Sequence, residues 1–125
     1  MIDFENGYVF KLKKVDDENF IKGLEPLLVD QENILGCYKD IRDHVVFTDK
    51  RIIAVNVKGL TGKKKVITVM PYSKITVFSV ATAGLIDIDS ELDLYFSGVG
   101  NVRFEFRGAS DIIEISRIIS TFALK

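Results

Sequence analysis

The stretch VKGLTGKKKVITVMPYSK, residues 57–74, sets two glycines beside three consecutive lysines, residue types that elsewhere hold phosphate. A Walker-type loop needs four residues between its first glycine and a Gly-Lys pair, then Ser or Thr, with a strand before and a helix after. Here only Leu60 and Thr61 separate Gly59 from Gly62, Lys63 is followed by Lys64, and the next segment reads as a strand. The nucleotide-loop reading therefore fails, and a β-hairpin turn accounts for the glycines, which accept the positive φ such turns require. Lys58, Lys63, Lys64 and Lys65 gather at that hairpin tip and form a candidate contact for an anion or a lipid headgroup.

The remaining reactive residues are sparse. His44 is the single histidine and sits beside Asp43, which would suit a general base, yet no nucleophile or metal partner accompanies it. It is expected on the surface near a turn. Cys37, the single cysteine, excludes an intrachain disulfide and a multi-cysteine metal site, and its alternation with Leu35 in a strand places it in the core. Asp87, Asp89, Glu91 and Asp93 space their carboxylates along one strand face. They lack the glycine-centred loop of an EF-hand, so a solvated strand face, useful for blocking stray pairing if the strand is an edge, is expected rather than a calcium site. No catalytic set, metal site or cofactor motif emerges, and the expectation is a non-enzymatic binding or assembly module.

Composition narrows the class further. Hydrophobic residues make up 47% of the chain and charged residues 28%, the balance of a folded globular protein. A chain of 125 residues is the size of one domain, so residues 1–125 are expected to share a single core. Seventeen basic residues stand against eighteen acidic ones, for a net charge of −1, which argues against a general nucleic-acid binder. The N-terminal MIDFENGYVF lacks a basic leader with a long apolar core, and the longest uncharged run, Ile75 to Ile86, has 12 residues. Both fall short of a secretory signal or a helical membrane span, so the cytoplasm is the expected location.

From Ile34 to Phe106 the chain consists of short runs rich in Val, Ile, Phe, Tyr and Thr, divided by turn residues, and these predict strands. ILGCYKDI is the first run. In HVVFTDKRIIAVNV, Thr48-Asp49-Lys50 is either a bulge in one long strand or a turn between two. KKVITVM ends at Pro71, and SKITVFSVATA, ELDLYFSG and NVRFEF follow. Leu92, Leu94 and Phe96 alternate with polar or exposed-type residues, as do Val102, Phe104 and Phe106, so one face of each strand is buried. About seven mostly antiparallel strands are expected to bend into a barrel or an orthogonal sandwich. In GASDIIEISRIISTFALK, Ile112, Ile115, Ile119 and Phe122 draw one apolar stripe on a helix over residues 110–124, with Ser110 or Asp111 as its cap, packed on the mouth of the bent sheet. Residues 1–26 read as an N-terminal arm: YVFKLKKV alternates weakly and is either an additional strand or an arm, and DDENFIKG is a short helix ending at Gly23 before Pro26.

The linked motifs RDHVVFTDKRIIAVNVKGLTGKKK, PYSKI, FSVATAG and DIDSELDLYFSG, spread over Leu27 to Phe122, resemble the bacterial pleckstrin-homology-like domain family. That resemblance implies a PH-like, mostly β fold: a seven-stranded bent β-sandwich or open barrel capped by a C-terminal α-helix. It also implies a ring-shaped homo-oligomer, a pentamer for single-domain members, with a hydrophilic surface near the junction of protomers suited to a protein partner. By analogy with eukaryotic relatives, the basic hairpin from Lys58 to Lys65 would be the place for a weak membrane contact. Where the family pattern carries a glutamate before Thr-Ala-Gly, this chain has Ala81, so a role needing a carboxylate there is not expected.

Overall fold

A computed structural model describes residues 2–82, 89–108 and 112–124. Eight strands form one sheet: β1 (Tyr8–Lys14), β2 (Ile34–Asp40), β3 (Asp43–Thr48), β4 (Arg51–Lys58), β5 (Lys64–Pro71), β6 (Ile75–Thr82), β7 (Ser90–Phe96) and β8 (Gly100–Arg107). Helix α1 (Glu18–Leu24) follows β1, and α2 (Ile112–Ala123) closes the chain. The spatial order is β5-β4-β3-β2-β1-β8-β7-β6, curled into a half-barrel with β5 and β6 at its two edges.

The strand count is eight rather than seven because YVFKLKK, left open between an additional strand and an arm, is a strand of the sheet. Strand β1 sits inside the sheet, antiparallel to β2 through Lys13↔Lys39 and parallel to β8 from Tyr8↔Val102 to Lys13↔Arg107. Phe10 and Leu12 are fully buried on one face while Lys11 and Lys13 are exposed on the other, the alternation of a half-covered strand. Ile2 and Phe4 extend the same core, and Asn101 N–H donates to the Phe4 carbonyl at 3.0 Å. Gly100 makes that approach feasible: its φ is +135°, and a Cβ there would run into the Phe4 carbonyl group.

Strands β3 and β4 carry near-continuous apolar runs because both of their faces are covered. Val45, Phe47, Ile52 and Ala54 join Phe10, Phe104 and Phe106 in the main core, whereas Val46, Ile53 and Val55 pack on the opposite face with Cys37 and Leu24. Phe20 and Ile21 of α1 complete that second cluster. Aromatic rings cross-link the main core, with Phe10 stacked on Phe104 at 5.5 Å and Phe47 edge-on to Phe104 at 5.8 Å. The choice left open at Thr48-Asp49-Lys50 resolves as a turn between two strands. Thr48 Oγ1 accepts from the N–H groups of Lys50 and Arg51, each at 3.0 Å, and holds the reversal in place.

Ile112, Ile115 and Ile119 of α2 are buried, and Phe122 stacks on Tyr72 at 5.7 Å, in the short 3-10 turn that joins β5 to β6. The apolar stripe therefore covers the mouth of the curled sheet as its spacing requires. The cap candidates Ser110 and Asp111 lie outside the described residues. In α1, Asp17 is the N-cap, its Oδ1 accepting from Phe20 N–H at 3.1 Å, while Gly23 lies inside the last turn rather than ending it. Pro26 belongs to a 3-10 turn, Glu25–Leu27, and the chain becomes extended only at Leu28.

Candidate functional site

The hairpin joining β4 to β5 forms as expected. Gly59 and Gly62 have φ of +80° and +68°, and Gly62 N–H donates to the Gly59 carbonyl at 3.3 Å. Register pairs Lys58 with Lys64 and Val57 with Lys65, so these three lysines and Lys63 crowd one tip, all exposed. Like charges directly opposed across a sheet are unfavourable, and among the described residues no carboxylate pairs with these lysines. The structure adds a fifth cation: Arg42, in the turn between β2 and β3, donates from Nη1 to the Gly59 carbonyl at 3.0 Å. Nothing in the spacing of residues 42 and 59 announces that contact; it follows from the antiparallel alignment of β3 beside β4.

His44 departs from expectation. It is 8% exposed, because α1 lies across it: the Phe20 ring stacks on the imidazole with centroids 3.7 Å apart, and Nε2 lies 3.1 Å from Asp17 Oδ2. Burial pushes its pKa below the ordinary value, against the opposing pull of Asp17. The imidazole is neutral, donates from Nε2 to the carboxylate, and pins α1 to the sheet. That Asp17 caps the same helix explains the pairing: one carboxylate holds both the helix start and the histidine. Cys37 lies in the core as expected, and burial pushes its thiol up to about 11, which makes it a poor nucleophile.

The acidic row lies on a partly solvated face of an interior strand, not on an edge. Strand β7 lies between β6 and β8, and Arg103 of β8 spans it, its Nε 2.8 Å from Asp93 Oδ1 and its Nη1 3.5 Å from Glu91 Oε2. Asp89 accepts from Gly108 N–H at 2.9 Å, and Asp87 lies outside the described residues. Among the described residues no group of three His, Cys, Asp or Glu is arranged to hold a metal. Two surface depressions flank this region, one lined by Asp89, Glu91, Glu105 and Arg107, the other by Lys13, Lys14, Asp16 and Arg107. Both are open to solvent and mixed in charge.

One polar cluster escaped sequence reasoning. Glu32 is buried, its carboxylate accepting from Arg51 Nε at 2.9 Å, Arg51 Nη2 at 3.0 Å, Thr48 Oγ1 at 2.7 Å and Val29 N–H at 3.0 Å. Burial alone would raise its pKa, but the hydrogen bonds from Arg51, Thr48 and Val29 outweigh that and hold it below the usual carboxylate range. Arg51 also donates to the Leu27 carbonyl at 2.8 Å, and Tyr72 to the Thr48 carbonyl at 2.7 Å. The cluster ties the segment after α1 to the turn between β3 and β4, and its groups face one another rather than a ligand.

Both edge strands present apolar side chains. On β5, Ile67 and Val69 are 44% and 42% exposed; on β6, Val77 and Val80 are 56% and 39% exposed. Strand β6, ITVFSVAT, contains no charged residue. Among the described residues no helix is long and apolar enough to cross a membrane.

Known proteins resemble this chain in sequence and in fold. The chain is 38% identical over 103 residues to the uncharacterized protein YjqA of Bacillus subtilis (strain 168), covering 81% of this chain and 82% of that protein. It is 36% identical over 99 residues to the uncharacterized protein YozO of the same organism, covering 79% and 85%. The crystal structure of a protein with a pleckstrin-homology domain from Shewanella loihica PV-4 aligns with a TM-score of 0.74 at 36% identity, over 91% of this chain and 98% of that one. A pleckstrin homology domain from Shewanella amazonensis SB2B aligns with a TM-score of 0.61 at 38% identity, over 89% and 90%. The family model for the bacterial PH domain matches residues 3–123, which span the curled sheet and its capping helix, and the chain belongs to that family.

Proposed function

We propose that this bacterial PH domain is a non-catalytic cytoplasmic module that assembles with copies of itself into a closed ring, about five protomers around, and offers the ring surface to a protein partner. The observation that carries the reading is the edge strand β6: eight residues long, uncharged and largely exposed. Folded proteins blunt such edges with charge, proline or a cover, because unpaired N–H and C=O groups recruit other strands. The opposite edge, β5, is managed only near its ends, by Lys64, Lys65 and Pro71, and leaves Ile67 and Val69 exposed between them. Two unlike edges on one protomer suit a head-to-tail contact, and a head-to-tail contact closes into a ring when its rotation permits.

The non-catalytic part rests on chemistry. The one histidine is engaged with Asp17 and Phe20, and the one thiol is buried with a raised pKa. Light scattering on size-fractionated protein tests the assembly, alongside Val77→Lys, which puts a charge on the β6 edge. A multimeric wild type and a monomeric, folded variant support the reading. A wild type that stays monomeric across concentrations and salt, or an assembly indifferent to the variant, would sink it.

A further inference from the structure

Two large apolar side chains stand out in solvent beside the lysines. Leu60, at the apex of the β4–β5 hairpin, is fully exposed, and Ile41, in the neighbouring β2–β3 turn, is 89% exposed. Ile41 has φ of +49°, a left-handed conformation that is rare and strained for a β-branched residue. Glycine or asparagine would fill that position without strain, so an apolar, branched side chain is held there at a cost to the fold. The Arg42 bond to the Gly59 carbonyl clasps the two turns together, bringing both apolar side chains into one basic neighbourhood.

Cations outnumber carboxylates around the pair, five against Asp40 and Asp43, although the whole chain carries a net charge of −1. Lys58, Lys63, Lys64, Lys65 and Arg42 are exposed around the two turns. Two carboxylates flank the Ile41-Arg42 turn, and both accept internal bonds: Asp43 from Val57 N–H at 2.8 Å and Asn56 Nδ2 at 3.1 Å, and Asp40 from Lys11 N–H at 3.1 Å.

We propose that this double-turn tip is a membrane-docking site, in which Leu60 and Ile41 enter the headgroup–acyl boundary of an anionic bilayer while the five cations meet its phosphates. A discrete phosphate ligand would use converging donors in a concave site and would leave the two apolar side chains without a role. A lipid surface uses both: cations draw the tip to anionic headgroups, and protruding apolar groups add buried area. The lysine stems can lie along the same apolar boundary with their ammonium groups in the headgroup layer. The site acts through each protomer and does not depend on the ring, although a ring with its tips on one side would multiply weak contacts.

The chain has no tryptophan, so Leu60→Trp creates a single reporter at the tip. With the full chain and vesicles containing phosphatidylglycerol, its emission shifts to the blue; with pure phosphatidylcholine vesicles it does not. Charge reversal in Lys63→Glu/Lys64→Glu weakens vesicle co-sedimentation on the order of a hundredfold, and added salt weakens it progressively. Leu60→Asp in the parent chain lowers it at least about tenfold, since burying a leucine is worth more than one such factor. The equal charge change Lys11→Glu/Lys13→Glu, on exposed β1 residues outside the tip, leaves much more binding than the tip variant. Absence of the blue shift, or co-sedimentation indifferent to Leu60→Asp, overturns insertion. Full competition by soluble inorganic polyphosphate with an unshifted tryptophan assigns the lysines to free phosphate instead, and a tip that binds only an acidic protein overturns the proposal as well.

Discussion

Replacing Arg51 by methionine isolates the buried carboxylate of Glu32. The substitution keeps most of the aliphatic stem and removes two charge-assisted bonds to Glu32, at 2.9 and 3.0 Å, together with the bond to the Leu27 carbonyl. Breaking one side of a buried ion pair costs about 3–5 kcal/mol. Arg51 is 20% exposed while the Glu32 side chain is fully buried, so the low end applies, about 3 kcal/mol at pH 7. For urea unfolding with a slope of about 1–3 kcal/mol per molar, the midpoint falls by about 1–3 M. The pH dependence carries the diagnosis. In the parent, the Glu32 folded pKa lies below the ordinary value, so its stabilisation is complete above the unfolded pKa of about 4.3 and is lost as pH falls through the lower folded value. In Arg51→Met, burial loses its main counterweight and the folded pKa rises, so the variant's penalty is greatest at neutral pH and shrinks as pH falls toward the unfolded value. Glu32→Leu on top of Arg51→Met restores much of the loss, because no charge is then left buried. A loss under about 1 kcal/mol that stays constant with pH would refute the reasoning and reduce the pair to an ordinary surface bridge.

Other perturbations probe separate parts of the account. His44 is held neutral with a lowered folded pKa, so its contribution is complete above the unfolded pKa of about 6.5 and falls away as pH drops through the folded value. His44→Phe should keep the stack on Phe20 and flatten the dependence of Tm on pH below about 6.5; an unchanged slope would contradict a buried neutral imidazole. Gly100→Ala meets both a positive φ and the Phe4 carbonyl group, and should cost at least about 2 kcal/mol in denaturant unfolding. A near-neutral result would mean that residues 2–7 do not hold their place against β8.

The parts of the molecule that were legible in the sequence are those set by local pattern. Leu92, Leu94, Phe96, Val102, Phe104 and Phe106 alternate with polar or exposed residues and all six are buried, so period two alone located β7 and β8. Gly59 and Gly62 marked the hairpin because only its turn needs their φ. The apolar stripe of α2 gave its docking face. Strand β1 was harder, because its parallel partner β8 lies some 90 positions away and pairing that distant leaves no local mark. Its Phe10–Lys11–Leu12–Lys13 alternation was the available signal.

The polar sites were hidden for a related reason. His44 looked like a surface residue beside a turn, and only the return of α1 across the sheet buries it. Glu32 sits in a polar stretch, and its burial depends on Arg51 and Thr48 arriving from the β3–β4 turn. The lysines of the basic tip could be named from their run in the chain. Arg42 and the strained Ile41 could not, since they join the tip only through the alignment of two separate turns. The fold thus follows from periodicity, while the buried polar pairs and the make-up of the basic tip are set by tertiary placement.

The central claim is self-assembly through the exposed sheet edges, and solution mass tests it most directly. Size-exclusion chromatography with light scattering, run over a wide range of protein and salt concentrations, should return a concentration-stable mass about five times the 14.1 kDa protomer. A persistent mass of one protomer would contradict the account and leave the uncharged edge of β6 to be covered by a different protein.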